Sequence, residues 1–422
     1  MEILSTGDKI KRARVYKGIT LKELCGDRIS ISKMSCIENG KVKADNDIIK
    51  YIADKMDIDY DYLVQDVYEQ IESNIAKLDE AKELNEEIEE EINDNLMYAN
   101  EYEYYDLSFE LMHRLFRLYL KNYKNEKIQL IISKYYDLYQ KTNTDKNTVI
   151  YFRDIALYLF QNKEYNEAIA YYSRLREILK QNNKYEGSAT YYNVIYNEGL
   201  CYSKLHKEEV ADKLISEVIE AESKIKDEID YGEIYQSYAL ICIRLKKNNA
   251  EEYIEKAYDY QKDDNMTLAI SKSEYAEAYF LVNEDEKAIN EIEAGVDIFP
   301  KKEKKESYVK YLNQCIKVLY ENEEYSKAFE LTEEAINYAI ETDEIKLIER
   351  TYYLKGSILQ KLQRYREAEM YMNLSLDSLV KFGSKDALYE RYLDMGNLYY
   401  KLGDNKDSIK YFNLAISIKR QI

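Results

Sequence analysis

One proline, two histidines and twelve glycines in 422 residues exclude a good deal. An all-β chain needs many tight turns, and so few Gly with a single Pro, Pro300, cannot supply them, so composition points to helices. With only His113 and His206, neither a His-based metal site nor a Cys-His or Ser-His-Asp set is expected. The five cysteines, Cys25, Cys36, Cys201, Cys242 and Cys315, are odd in number and widely spaced, which argues against a disulfide framework, and the last three, on the first-helix faces of the repeats, are expected to be ordinary buried thiols. The phosphate-loop, dinucleotide, zinc-protease and nucleophile-elbow motifs are all missing, so the chain is expected to be non-enzymatic and to need no cofactor. No uncharged apolar run approaches the roughly eighteen residues of a membrane span, and the start MEILSTGDKIKRARVYKG has no apolar h-region. A cytoplasmic protein with no membrane contact is the expectation.

What is present is a repeat. Phe116, Ala156, Gly199, Ala239, Ala276, Ile316, Gly356 and Gly396 follow one another at intervals of 40, 43, 40, 37, 40, 40 and 40 residues. In the segments at 160–172, 320–332, 360–372 and 400–412, a small residue (Ala168, Ala328, Ala368, Ser408) stands twelve positions after the marker, where two antiparallel helices can cross closely. Tyr172, Met372 and Phe412, four further on, would fill the space between repeats. The fourth unit fits least well, with eleven residues from Ala239 to Ala250. Such units resemble the tetratricopeptide repeat, lengthened by up to a turn per helix. The resemblance implies about eight helix pairs over 106–422, wound as a right-handed superhelix with the first helix of each pair lining the inside.

Charge is distributed unevenly. Net charge is −19, but residues 1–43 carry ten Lys or Arg against five acids, leaving −24 for the remainder. A cationic head on an anionic body puts any polyanion contact at the head. Residues 1–66 read as five short helices. Thr20 with Glu23 makes a capping box, Ser30 is a fitting N-cap for the third helix, and a fourth runs over 47–56. Apolar Ile3, Leu4, Ile10 and Val15 are assigned to the inner face of the first helix, and Arg14 with Glu38 to an internal ion pair. Between 69 and 103, thirteen acids face two lysines, while Ile71, Ile75, Leu78, Leu84, Ile88 and Ile92 recur at roughly helical steps. An acidic linker helix over 67–105 is expected, either solvated or with its stripe against a dimer partner or the repeats.

The stretch IKRARVYKGITLKELC, the turn GDRIS, then ISKMSCIENGKV and DIIKYIADKMDIDYDYLV resemble the helix-turn-helix of phage-repressor-like proteins. Cys25 departs from the usual small Ala, and the turn is one residue shorter than the commonest form. In such a motif the second helix enters the major groove. That assigns Ile31, Ser32, Lys33, Ser35 and Cys36 to base edges, with Met34 and Ile37 turned to the core. Ser30, Arg12, Lys17, Lys41 and Lys43 are assigned to phosphates. A homodimer on an inverted repeat of double-stranded DNA is the implied complex.

Head, acidic connector and long repeats together resemble the RRNPP family of intracellular receptors for imported signalling peptides. That resemblance implies a peptide in the inner groove, shifting the geometry of the two heads. Counted from the small markers, inward positions give Arg153, Asn193, Tyr196, Asn197, Gln236, Arg244, Asn313, Gln314, Lys317, Tyr353 and Asn397. Side-chain amides can pair with an extended backbone, and Arg153, Arg244 or Lys317 could hold a carboxylate. The rival readings are an adaptor whose groove holds a partner protein, and a phosphatase-like or kinase-inhibiting regulator, whose known examples lack the head.

Overall fold

The computed structural model describes residues 3–80, 86–182, 185, 187–222 and 230–420, and among them it is entirely helical, without a strand. The helices pack as two compact units, Met1–Glu186 and Gly187–Ile422.

The first unit opens with five short helices, α1 Thr6–Tyr16, α2 Leu21–Cys25, α3 Ile31–Glu38, α4 Asn46–Met56 and α5 Tyr60–Val64. Local chemistry sets their starts. Thr20 Oγ1 accepts from the Glu23 amide at 3.2 Å while the Glu23 carboxylate accepts from the Thr20 amide at 2.8 Å, and Ser30 Oγ accepts from the Lys33 amide at 3.2 Å. Ile10, Leu24, Met34, Ile37, Ile52 and Leu63 fill a small separate core. Arg14 reaches across it to Glu38 in a bidentate pair at 2.6 and 3.0 Å, joining α1 to α3.

Three assignments in the first helix need correction, that of Leu4 because it lies before the Ser5 cap. Val15 is 62% exposed, because α1 ends one residue later and its last turn stands clear of the core. Ile3 precedes α1, whose cap is Ser5, and is buried instead with Val67, Ile71 and Ile75 of the connector.

That connector is two helices, α6 Val67–Glu80 and α7 Glu86–Glu101, in place of the single one expected. Ile71, Ile75, Leu78 and Ile92 are buried, Ile88 is half-buried, and the cluster continues into Leu107, Met112, Leu115 and Phe116 of α8 Tyr105–Lys121. The stripe thus covers the first repeat hairpin, and the solvated alternative is set aside. Leu84, with Lys82 and Glu83, lies outside the described residues, as do Glu2 and the side chains of Asp79, Glu80 and Glu86. Asn74 donates to Asn95 at 2.9 Å, a buried amide pair between α6 and α7, and Glu89 of α7 accepts from Tyr119 at 3.0 Å and Lys124 at 3.3 Å. The head is tied down too: Lys9 Nζ donates to the carbonyls of Tyr62 and Gln65 at 2.7 Å each, and the Gln70 amide pairs with the Leu4 backbone.

The repeats are helix hairpins. In the first unit these are α8 with α9 Asn125–Thr142, and α10 Asp145–Gln161 with α11 Tyr165–Gln181. The second unit holds six, the first being α12 Ala189–Lys204 with α13 Glu208–Glu220, then α14 Tyr231–Arg244 with α15 Ala250–Gln261, and α16 Asn265–Leu281 with α17 Asp285–Ile298. They continue through α18 Lys305–Glu321 with α19 Tyr325–Thr342, α20 Ile345–Lys361 with α21 Tyr365–Leu379, and α22 Lys385–Leu402 with α23 Asn405–Lys419.

The small residues sit where the paired helices cross. Ala168, Ala328 and Ala368 are fully buried, and Ser408 donates to the Gly396 carbonyl at 2.9 Å. A Cβ on Gly396 would lie 2.7 Å from the Phe412 ring, and one on Gly356 2.7 Å from Met372 Cγ. Seven residues after each marker the chain turns through positive φ, at Tyr123, Lys163, His206, Lys246, Asn283, Glu323, Gln363 and Gly403. The shape of this turn recurs while its side chain does not. Cys201, Cys242 and Cys315 are buried on α12, α14 and α18, where desolvation raises their thiol pKa values, to about 12, 11 and 12.

Candidate functional site

Two groups of polar side chains stand out, on α3 and on the first helices of the hairpins. Capped by Ser30, α3 buries Met34 and Ile37 and leaves Ile31 49% exposed, with Ser32 and Lys33 beside it. Lys33 has one weak exposed ionic neighbour, Asp45 at 3.4 Å. Ser35 and Cys36 are half-buried, and the Ser35 carbonyl accepts from Asn39 Nδ2 at 2.7 Å. The open edge of α3 is therefore its first three residues.

Arg12, Lys41 and Lys43 are exposed. Lys17 is differently placed from its assignment, because its ammonium caps the end of α4, donating to the carbonyls of Met56 and Asp57. Sequence reasoning overlooked Arg28, two residues before the Ser30 cap and exposed, with its guanidinium 5.4 Å from the Tyr51 ring centroid. A basic residue next to the motif turn was the signal available.

The inward positions of the repeats divide. Several are already partnered, and with each other. Tyr196 is buried, its hydroxyl 2.8 Å from Ser237 Oγ and 3.2 Å from Glu233, which links α12 to α14. Gln236 donates to Glu274 at 2.6 Å and accepts from Gln261 at 2.7 Å, linking α14 to α16. Buried Asn313 accepts from Thr351 at 3.1 Å, from α20 to α18, and Tyr353 donates to Asp394 at 2.9 Å, from α20 to α22. In the first unit His113 of α8 meets Asp154 of α10 at 2.5 Å, a pair the sequence reading did not pick out. These bonds join side chains 37 to 41 residues apart, one repeat, and form a ladder between neighbouring first helices.

Arg244, offered above as a carboxylate anchor, is engaged within the protein: it donates to Ser203 at 3.0 Å and Glu208 at 3.2 Å. Asn197 turns back onto its own helix, donating to the Asn193 carbonyl at 2.6 Å, and Lys317 pairs with Glu321 at 3.6 Å. Arg153 in the first unit, and Asn193, Gln314 and Asn397 in the second, are exposed.

The crowded inner face perturbs its acids. Desolvation raises the carboxyl pKa of Glu274, opposed by the Gln236 hydrogen bond and by Lys204. Asp394 is raised by burial in the same way, opposed by the Tyr353 hydroxyl and Arg391. The ladder also holds one buried ion pair, Arg391 with Glu349 at 2.7 Å, joined by Ser375 and stacked on Tyr353 at 3.7 Å. Among the described residues no group of His, Cys, Asp and Glu is arranged to hold a metal, and no helix is long and apolar enough to cross a membrane.

Residues 347–421 match the tetratricopeptide repeat family. Over 304 residues the chain is 25% identical to a TPR repeat-containing protein of Methanocaldococcus jannaschii, an alignment covering 69% of this chain and 48% of that protein. The chain thus spans about half the length of the curated relative it matches. Among solved structures it is similar to the apo form of the quorum sensor NprR from Bacillus thuringiensis, at 16% identity and a TM-score of 0.43, covering 84% of this chain and all of that one. A second is Bacillus thuringiensis PlcR in complex with the peptide PapR7 and DNA, at 17% identity and a TM-score of 0.27, covering 93% and 98%.

Proposed function

We propose that the chain is a cytoplasmic, non-enzymatic transcription regulator of the quorum-sensing type, whose head binds DNA and whose repeats bind a short signalling peptide. The observation that carries it is α3: a capped helix whose core side anchors on Met34 and Ile37 while Ile31, Ser32 and Lys33 project from its first turn. Lys33 can donate to guanine, Ser32 to several bases, and Ile31 can meet a thymine methyl. A single head makes few such contacts, so two heads of a homodimer would read an inverted repeat. In its most specific form the proposal sets the chain in the RRNPP family, whose PlcR-type members share the short motif turn, and beside RstA, the clostridial sporulation and toxin regulator, with richness in Lys, Asn, Ile and Tyr fitting an AT-rich genome.

The ladder supports a route for control. Each rung fixes the offset between two first helices, so a ligand that breaks some rungs and favours others selects one curvature of the repeats. Coupling of this kind commonly amounts to about 1 to 3 kcal/mol, or roughly 5- to 150-fold in operator affinity. The same rungs also favour a second reading, a partner-protein adaptor, since Tyr196, Asn313, Gln236 and Tyr353 are occupied and leave fewer groups to pair with a peptide backbone.

Genome-wide mapping of bound DNA tests the head: defined sites are expected for the unaltered protein and their loss in S32A/K33A with the repeats still folded. Sites that survive the double substitution would overturn the head's role. Calorimetry with C-terminal fragments of a short secreted product encoded beside the gene tests the groove. A fragment that binds and alters DNA affinity supports the peptide, and fragments that leave it unchanged support the adaptor.

A further inference from the structure

A recess in the first unit is lined by none of the inward residues named above. It is a cleft of about 370 Å³ where α9, α10 and α11 meet. Its floor is aromatic. Tyr139 and Tyr151 stack at 4.7 Å with their planes 2° apart, Tyr136 lies 6.0 Å from Tyr151, and Phe152 lies 5.5 Å from Tyr171. Arg174 stands at the rim with its guanidinium 5.5 Å from the Phe152 centroid, and Gln140 adds an amide.

Three features narrow what could occupy it. First, none of the lining side chains is acidic, although the chain as a whole carries −19. Second, its donors are not used inside the protein: the hydroxyls of Tyr136, Tyr151 and Tyr171 and the Arg174 guanidinium form no hydrogen bond with any described residue, Tyr136 and Arg174 are open to solvent, and Tyr139 accepts from Thr148 at 3.5 Å. The tyrosine hydroxyls also crowd one another. Burial first, and then the nearness of the Tyr171, Tyr136 and Tyr139 hydroxyls, raises the pKa of Tyr151, so its hydroxyl stays protonated and able to donate. Third, the volume is near the lower end of small-ligand pockets, large enough for one ring and its substituent and too small for a length of chain.

We propose that this cleft binds an aromatic carboxylate, its ring stacked on the tyrosine floor and its carboxylate held by Arg174 and the neighbouring hydroxyls. Flat walls select a planar ring, whose offset stacking adds to plain area burial. A guanidinium fork selects the planar carboxylate and binds it through paired, charge-assisted hydrogen bonds. The same chemistry has two sources, a free aromatic acid or the C-terminal aromatic residue of a peptide.

Titration calorimetry and saturation-transfer NMR on the full chain test this with phenylacetate, its amide, acetate, and the tripeptide Ala-Ala-Phe with free or amidated C-terminus. Phenylacetate or the free tripeptide should bind, with saturation transferred to ring protons. The matching amide and acetate should each bind roughly ten- to a hundred-fold more weakly. Arg174→Ala should weaken binding by a similar factor and Arg174→Lys by less, while Lys310→Ala, an exposed cation on α18 of the second unit, should change nothing. Circular dichroism checks that each variant is folded, which exposure of Arg174 favours. Tighter binding of the tripeptide identifies a peptide terminus as the source, and tighter binding of phenylacetate a free acid. Absence of binding by both at millimolar concentration, equal binding of acid and amide, or an unaltered Arg174→Ala protein overturns the proposal. No DNA and no ladder residue enters the test, so its failure leaves the proposed function standing.

Discussion

The third helix of the head and the first helices of the repeats both carry polar side chains at helical spacing, and they use them in opposite ways. On α3 the first-turn groups face solvent with little to bind inside the protein, as Lys33 and its 3.4 Å exposed neighbour illustrate. On the repeats the corresponding groups bond across to the next hairpin, as Gln236 does with Glu274 and Tyr353 with Asp394. Polar residues open to solvent on a rigid helix are available to an outside partner. Polar residues bonded within an array hold its shape, and a partner must displace those bonds to use them.

The largest effect expected from this contrast is on DNA binding. If the two heads of the proposed homodimer neutralise about six to eight phosphates, affinity should fall about 10³- to 10⁵-fold between roughly 50 and 200 mM salt, measured by fluorescence anisotropy. An affinity independent of salt would remove the electrostatic role of the head. Folding of the repeats should respond far less to the same change, because its ladder bonds are mostly between neutral or buried groups.

Next in size is the buried pair in the ladder. Arg391→Ala leaves the Glu349 carboxylate buried without its partner and should destabilise the repeats by about 3 to 5 kcal/mol in denaturant titrations. Replacing Arg391 by Met and Glu349 by Leu together should come close to neutral. If the single change is as mild as the double, the pair contributes nothing to holding α20 against α22.

A third test addresses the crossing of the hairpin helices. Gly396→Ala puts a methyl 2.7 Å from the Phe412 ring, and overpacking of this sort typically destabilises by about 1 to 3 kcal/mol. Gly403→Ala should cost about 1 to 2 kcal/mol for a different reason, its φ of 81°. Gln363 holds the same turn position at 60°, so Gln363→Gly should be stabilising or neutral. Thermal melts that rank Gln363→Gly below the parent would mean the turn is held by its side chain.

How far the sequence could be read follows the same division. The repeat period was legible because close helix crossings demand small residues, as at Ala168 and Ala328, and the caps of α2 and α3 because Thr20 and Ser30 satisfy backbone amides locally. The turn seven residues after each marker was hidden: eight residues enter positive φ there, and only Gly403 and, more weakly, Asn283 and His206 are of types that favour it. Inner-face positions were legible as positions but not as availability. Whether Tyr196 or Asn313 is free depends on Ser237 or Thr351, about forty residues away, and no local pattern carries that. Lys17 was misassigned for the same reason, since its acceptors at Met56 and Asp57 come from a distant helix end. The second helix of the connector was missed because its acids and apolar stripe continue from α6 to α7 without a change of pattern.

The smallest effect expected concerns the two desolvated acids of the ladder, and its sign follows from their shifts. Glu274 and Asp394 have folded-state pKa values raised above their ordinary 4.5 and 3.8, chiefly by crowding that excludes water, and because the Glu274 side chain still meets solvent its share of the effect is the smaller. Their ionised forms therefore oppose folding at neutral pH. That penalty fades as pH falls through the raised values and is gone below the ordinary ones. Glu274→Gln and Asp394→Asn keep an oxygen to accept from Gln236 and Tyr353 and remove the charge. Each should raise the melting temperature slightly at pH 7, and the gain should vanish in melts taken below about pH 4. A gain that persists unchanged at low pH would point to packing. A loss at pH 7 would mean that the carboxylates are stabilised by their cationic neighbours Lys204 and Arg391 more than the inner face desolvates them, and the ladder would then be held by charge.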